Sequence, residues 1–331
     1  MKEKAISKAA FLPIDRECTV GFELEFSGLS VQQTLDTLQH HLQGDIENIS
    51  LAERTITHAE LGKFQIELDW SYLKKVAKRQ SQSQSGEKTW LKEVGNLAEK
   101  VVPLEVVCPP LTLEQCEQLL PLTDALRSAG ARGTDESWLA AYGVHINAEV
   151  PTNDDDEIES EALHRYLQAY GLLQWWLFDA HQVNTTRKVS PYIDKYPESY
   201  LRLLLAQESV TMPLLINDYL EHNASRNRAL DMLPLFAHID PERVYEVVGD
   251  DKIKSRPTFH YRLPNCHIEQ PDWNLTVPWK GWWVIEKLAN DERALEYWRS
   301  QFLEQSRPLI GVAETDWKRR INEWLIDRGW W

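Results

Sequence analysis

A chain of 331 residues is long enough to bury a sizeable core, either as one large α+β domain or as two. Lys and Arg total 36 against 51 Asp and Glu, and the resulting charge of −15 works against nucleic-acid and anionic-membrane binding, because phosphate contacts demand basic patches. No apolar run approaches the roughly 20 residues that span a bilayer, no apolar stretch near the N-terminus reads as a secretory signal, and Cys18, Cys108, Cys116 and Cys266 form no CxxC pair; together these suit a cytoplasmic protein with reduced thiols.

The first element is TVGFELEF (19–26), where Glu23 and Glu25 alternate with Val20, Phe22, Leu24 and Phe26. Strict alternation predicts a β-strand with one buried face, and residues two apart project from the same side about 7 Å from each other. SVQQTLDTLQHHL (30–42) then has helical spacing with Ser30 as its N-cap. GKFQIELDWS (62–71) and VVPLEVVCPPL (101–111) read as strands, separated by the polar, low-complexity loop KRQSQSQSGEK (78–88). A helix near 112–128 closes at Gly130, and AAYGVHINAEV (140–150) is the next strand. The acidic run TNDDDEIESE (152–161) precedes a long buried helix, as acids favour helix N-termini. Two helices follow around 198–207 and 211–222, a strand at RPTFHYRLPNC (256–266), and helices at about 281–289, 291–304 and 314–327. With no internal repeat and no linker, the expectation is one α+β domain over 1–331 with a helical portion from about 270 onward. The fourteen tryptophans, many of them in KGWWVIEKL and beyond residue 297, read as packing anchors for those helices.

Side by side, the strands share a chemical pattern. Glu67 and Asp69 oppose Phe64, Ile66, Leu68 and Trp70; Glu105 opposes Leu104 and Val106; His145, Asn147 and Glu149 alternate with Val144, Ile146 and Ala148; His260 and Arg262 alternate with Phe259, Tyr261 and Leu263. A merely solvated sheet face tends towards Thr, Ser, Lys and Arg, whereas this set contains no lysine. Carboxylates crowded on one surface repel and call for cations between them, and hard divalent ions such as Mg²⁺ or Mn²⁺ prefer oxygen ligands. An arginine among them suits phosphate.

On four stretches within about residues 18–265 (GFELEF, LEVVCPPL, GVHIN, and SRPTFHYRLP preceded by SRNRALDMLPL), the chain resembles the amidoligase family of the glutamine synthetase and glutamate–cysteine ligase superfamily. The resemblance implies a curved antiparallel sheet, flanked by helices, whose concave acidic face binds ATP with Mg²⁺ or Mn²⁺. It implies that ATP activates a carboxylate as an acyl phosphate, which an amine attacks to form an amide. It assigns Glu23, Glu25, Glu105 and His260 to metal, His145 to the nucleotide or a metal, and Asn147 and Arg226 to the nucleotide or the transferring group. It sets Arg262 and Arg187 against the phosphoryl oxygens, and Glu67 or Asp69 to accept the amine proton. His260 and Asn147 replace the more usual acids or histidine, and Asp231 stands where Asn is common, which either shifts preference towards Mn²⁺ or marks a weakened site. The substrates implied are a small-molecule or peptide acid and an amine, with neither nucleic acid nor membrane as partner; self-association is open. Two rival readings are a binding or scaffold protein that docks partners on its Trp-rich helices, and a metal-dependent amide hydrolase active without ATP.

Overall fold

The computed structural model describes residues 10–50, 52–68, 103–134, 142–183, 193–249, 253–306 and 311–331. Asp69, Arg187 and the 78–88 loop lie outside the described residues.

The architecture is α+β: an open antiparallel sheet flanked by helices. The strands are β1 (Thr19–Phe26), β2 (Asp45–Asn48), β3 (Glu53–His58), β4 (Gly62–Leu68), β5 (Leu104–Val107), β6 (Leu111–Thr112) and β7 (Val144–Ala148). They form one sheet in the order β2-β3-β4-β5-β1, with β6 continuing the β5 side of β1 and β7 on its other side. β1 is therefore the centre, paired along both edges, and its apolar residues Val20, Phe22, Leu24 and Phe26 are 0–2% exposed. They meet Ile66, Val106, Val144 and Ile146 in a buried cluster that reaches the C-terminal helices.

α1 (Val31–Leu42) begins at Ser30 in a capping box with Gln33, and packs on β3 and β4. The helix expected near 112–128 is two pieces, α2 (Leu113–Cys116) and α3 (Leu119–Ala129), because Pro121 fits only the first turn of a new helix. Gly130 ends α3 at φ 110°, in the left-handed region that favours glycine. α4 (Ser160–Ala180) is the long buried helix, followed by α5 (Glu198–Ala206) and α6 (Met212–Asn223) near their expected places. α7 (Leu233–Ile239) and α8 (Pro241–Val248) are too short to show a helical period in sequence. α9 (Thr276–Ala289) starts five residues earlier than expected, and α10 (Glu292–Gln305) and α11 (Glu314–Asp327) complete the chain. No helix among the described residues is long and apolar enough to cross a membrane.

Two expectations change. β2 and β3 were not legible: β2 is exposed along its whole length and so lacks the apolar alternation that marks a half-buried strand. The stretch expected as a strand at 256–266 is extended chain with isolated bridges, Ile146 to Tyr261, Glu149 to Thr258 and Leu230 to Tyr261. Pro257 and Pro264 remove ladder donors there, which interrupts regular pairing without preventing it. The segment still bonds on both sides: Tyr261 and Ile146 exchange backbone bonds at 2.8 and 2.9 Å, and Asp231 N donates to His260 O at 2.9 Å.

Among the described residues, the tryptophans pack on the core, seven of them buried. Trp317 Nε1 donates to Leu172 O at 2.9 Å, Trp279 Nε1 to Leu12 O at 2.9 Å, and Trp176 meets Trp331 edge-on at 4.8 Å. The four cysteines form no disulfide, and burial pushes the Cys18 thiol up to about 11 and Cys116 up to about 12, so neither is a ready nucleophile.

Phe22, fully buried on β1 with its ring 5.7 Å from Phe11, tests the centrality of that strand. Phe22→Ala should lower the unfolding free energy by about 3–5 kcal/mol in a denaturant titration. A loss under about 1 kcal/mol would mean that β1 is not the core of the sheet.

Candidate functional site

Alternation on β1 sends Glu23 and Glu25 to the side opposite the apolar core, and the strand register brings other polar residues beside them. Glu25 pairs with Glu105, Glu105 with Glu67, and Glu67 with Glu53. Four carboxylates thus line up across β1, β5, β4 and β3. The next row pairs Gln65 with Val107, Val107 with Glu23, and Glu23 with His145. A third pairs Gly21 with Asn147, and the register of Ile146 with Tyr261 sets Asn147 opposite His260 and His145 opposite Arg262. Like charges directly opposite on neighbouring strands destabilise by about 0.2–1 kcal/mol per pair. Apolar burial on the reverse face overrides that repulsion.

Hydrogen bonds fix the side chains. Glu23 is buried and uses both oxygens: Oε2 accepts from His145 Nδ1 at 2.7 Å, and Oε1 accepts from Asn147 Nδ2 at 2.8 Å. Asn147 Oδ1 thereby faces His260, whose Nδ1 lies 2.8 Å away. Glu25 Oε2 accepts from the Gly143 backbone N–H at 2.7 Å, and Glu25 Oε1 lies 3.6 Å from His145 Nε2. With Nδ1–H committed to Glu23, the His145 lone pair sits on Nε2 and faces Glu25. A carboxylate holding the far nitrogen of a histidine is the arrangement that orients metal-binding imidazoles.

Electrostatics follow the same lines. Burial pushes the Glu23 carboxyl up, but the His145 hydrogen bond and the nearby imidazoles and Arg256 guanidinium outweigh it and hold its pKa well below the usual range. For Glu105, burial first, then repulsion from Glu23, Glu25 and Glu67 together with a hydrogen bond to Glu23, raises it well above the usual range. Burial pulls His260 well below the ordinary imidazole value despite the nearby Glu23 charge. Asp231 is raised because burial outweighs the charge of Arg262 and the bond it accepts from the Leu233 N–H.

Two triads bring ligand atoms within 4.8 Å of one another: Glu25, Glu105 and His145, and Glu23, His145 and His260. Three acids and neutral imidazoles are a donor set that fits Mn²⁺, and fits Mg²⁺ where the oxygens dominate. The two triads share His145, whose single lone pair can serve one of them at a time.

Other expected residues lie around this centre. Glu67 accepts from Gln65 Nε2, which also donates to Glu53 Oε1 at 2.8 Å. Arg262 donates to the Arg226 carbonyl, tying the two arginine-bearing segments together. Glu149, at the end of β7, instead accepts from Thr19 N and Oγ1, both at 2.9 Å, and serves the sheet. His164, His181 and His222 are structural, bonded to Leu204 O, the Tyr261 hydroxyl and Asp218 O. Arg256 was not anticipated: its Nη2 contacts His260 Nδ1 and lies 3.4 Å from Glu23 Oε1. Its only sequence signal is a place four residues before His260, in a stretch already notable for His and Arg. Glu53 was missed with its strand.

The model of a protein family described as "Putative amidoligase enzyme" matches residues 16–284, more than half of the chain. No curated protein matches it.

The raised Glu105 carboxyl makes a pH prediction. At acid pH both the folded and unfolded chains hold the proton. As pH rises through the ordinary carboxylate range the unfolded chain ionises first, so the folded state loses stability until its own higher pKa is passed. In metal-free protein, Glu105→Gln should therefore melt at a higher temperature than the unsubstituted chain, by a margin that widens from about pH 4 to pH 8. A margin that stays constant with pH in thermal melts would contradict the raised pKa.

Proposed function

Because the chain belongs to this amidoligase family, we propose that it is an ATP-dependent carboxylate–amine ligase with its cation centre at Glu25, Glu105 and His145. The observation that supports this most strongly is the line of opposed carboxylates ending beside a correctly oriented imidazole. Such a line needs cationic counter-charge. The arginine-bearing segments on the far side of His145 suit the anion that the cation would accompany. On this reading the sheet is curved, as in glutamine synthetase relatives, and ATP lies along its concave acidic side.

A bound Mg²⁺ or Mn²⁺ would supply charge stabilisation for the phosphate oxygens. The chain's own residues do the rest. Glu23 holds the His145 tautomer that leaves Nε2 able to ligate, and the Gly143 N–H holds Glu25 in place. Glu105, whose carboxyl burial and the neighbouring acids raise, is the ligand whose ionisation positive charge would favour most. Arg262 and Arg226, with Arg187 on the strength of the resemblance, meet the phosphoryl oxygens, and His260 and Asn147 orient the groups between. The substrate carboxylate oxygen takes the γ-phosphoryl and ADP leaves. The amine nitrogen then attacks the acyl carbon, the bond to phosphate breaks, and Glu67 accepts the amine proton. An amino acid, a peptide or a cell-wall-type acid is the substrate class that fits the resemblance.

The test is ADP release from ATP with Mn²⁺ or Mg²⁺ and a pool of amino acids and small peptides. Release should depend on metal, rise with the pool, and fall at least about 100-fold in Glu25→Gln, since a metal's several kcal/mol convert at about 1.4 kcal/mol per decade. Release that survives in Glu25→Gln would remove the cation assignment. Amide cleavage without ATP would favour a hydrolase instead.

A further inference from the structure

Four positions make an electrostatic cage at the β7 end of the site: Glu23, His145 and His260 bring one ligand atom each within 4.8 Å of one another, and the Arg256 guanidinium stands against them. Arg256 Nη2 lies 3.4 Å from Glu23 Oε1 and touches His260 Nδ1, so one side chain contacts two members of the triad. Its backbone is fixed, with N–H donating to Pro234 O at 3.1 Å, while its side chain is 26% exposed and open to solvent on one side. Among the described residues its Nε is buried without a partner, so the guanidinium is not held there by the fork-to-fork pairing that arginine usually makes with a carboxylate.

We infer that Arg256 is a built-in counter-ion that holds the Glu23–His260 position in place of a divalent cation, and that it must withdraw before an ion can bind there. The inference rests on the ligase reading for the identity of the site. It adds that loading is a competition between a tethered guanidinium and a free metal. Glu23 is a buried carboxylate, and a carboxylate taken out of water is costly without positive charge beside it. A tethered arginine supplies it when metal is absent, and the withdrawn guanidinium, still anchored at Pro234, becomes available to an anionic ligand beside Arg262. Metal and anion would then bind cooperatively, because each favours the same outward position of one side chain.

The test is Mn²⁺ titration of the full chain by calorimetry, without nucleotide, in a Glu25→Gln background that weakens the neighbouring Glu25–Glu105 position. Adding Arg256→Gln should tighten Mn²⁺ binding by about tenfold, the equivalent of one charge-assisted hydrogen bond no longer in competition. Adding Arg256→Lys, which keeps the charge, should leave affinity near that of Glu25→Gln alone. Arg256→Met repeats the measurement should the Gln variant not fold. Equal or weaker Mn²⁺ binding on removing the arginine would overturn the inference, since a purely structural arginine leaves the triad less ordered. Tighter binding, alongside an unsubstituted chain that fails to release ADP with metal and the substrate pool, would leave the counter-ion role standing and remove the ligase reading alone.

Discussion

The site depends on what one buried carboxylate does with its two oxygens. Glu23 sits on the central strand with Phe22 and Leu24 locked into the core on either side, so it cannot turn away. One oxygen takes the His145 proton and the other takes the Asn147 amide. From those two bonds the remaining orientations follow: the His145 lone pair faces Glu25, and the Asn147 carbonyl faces His260. A buried charge left without such partners would cost several kcal/mol. The same bonds that make Glu23 tolerable therefore aim the neighbouring groups.

Charge is separated across the sheet. One row across β1, β5, β4 and β3 is carboxylates, Glu25, Glu105, Glu67 and Glu53, whereas on the β7 side Glu23 meets His145 and Arg256. A net charge of −15 does not foretell this, because it averages over the surface. Glu105 and Glu23 illustrate the local control. They lie on neighbouring strands with similar chemistry, yet one is held above and the other below the ordinary carboxyl range, according to whether repelling acids or donating histidines stand beside it. An acid whose pKa is raised by burial and by neighbouring acids would lose its proton more readily once a cation arrives.

Much of this was legible in the sequence, and for a stated reason. Alternation with period two reads which side chains share a face of one strand, so Glu23 with Glu25, and His145 with Asn147, follow from it directly, while setting them beside Glu105 took the further expectation that these strands share one sheet. Pairing order was not legible, because nothing local says that Glu25 should oppose Glu105 across β5 and not some residue of β3. β2 escaped notice because an exposed edge strand has no apolar face to mark it. Arg256 escaped because its role depends on a side chain crossing from extended chain beside Pro257 to a different strand, a contact that carries no sequence period. The helical C-terminus, by contrast, followed its tryptophans: Trp317 and Trp279 are buried anchors with bonded indoles.

The most direct measurement is a crystal of the protein grown with Mn²⁺ and a non-hydrolysable ATP analogue, with anomalous scattering used to locate the metal. A manganese peak between Glu25, Glu105 and His145 Nε2, with the analogue's phosphates turned towards Arg262, is the predicted result. Nucleotide bound elsewhere, or no manganese against that triad, would contradict the assignment of this face as the catalytic centre.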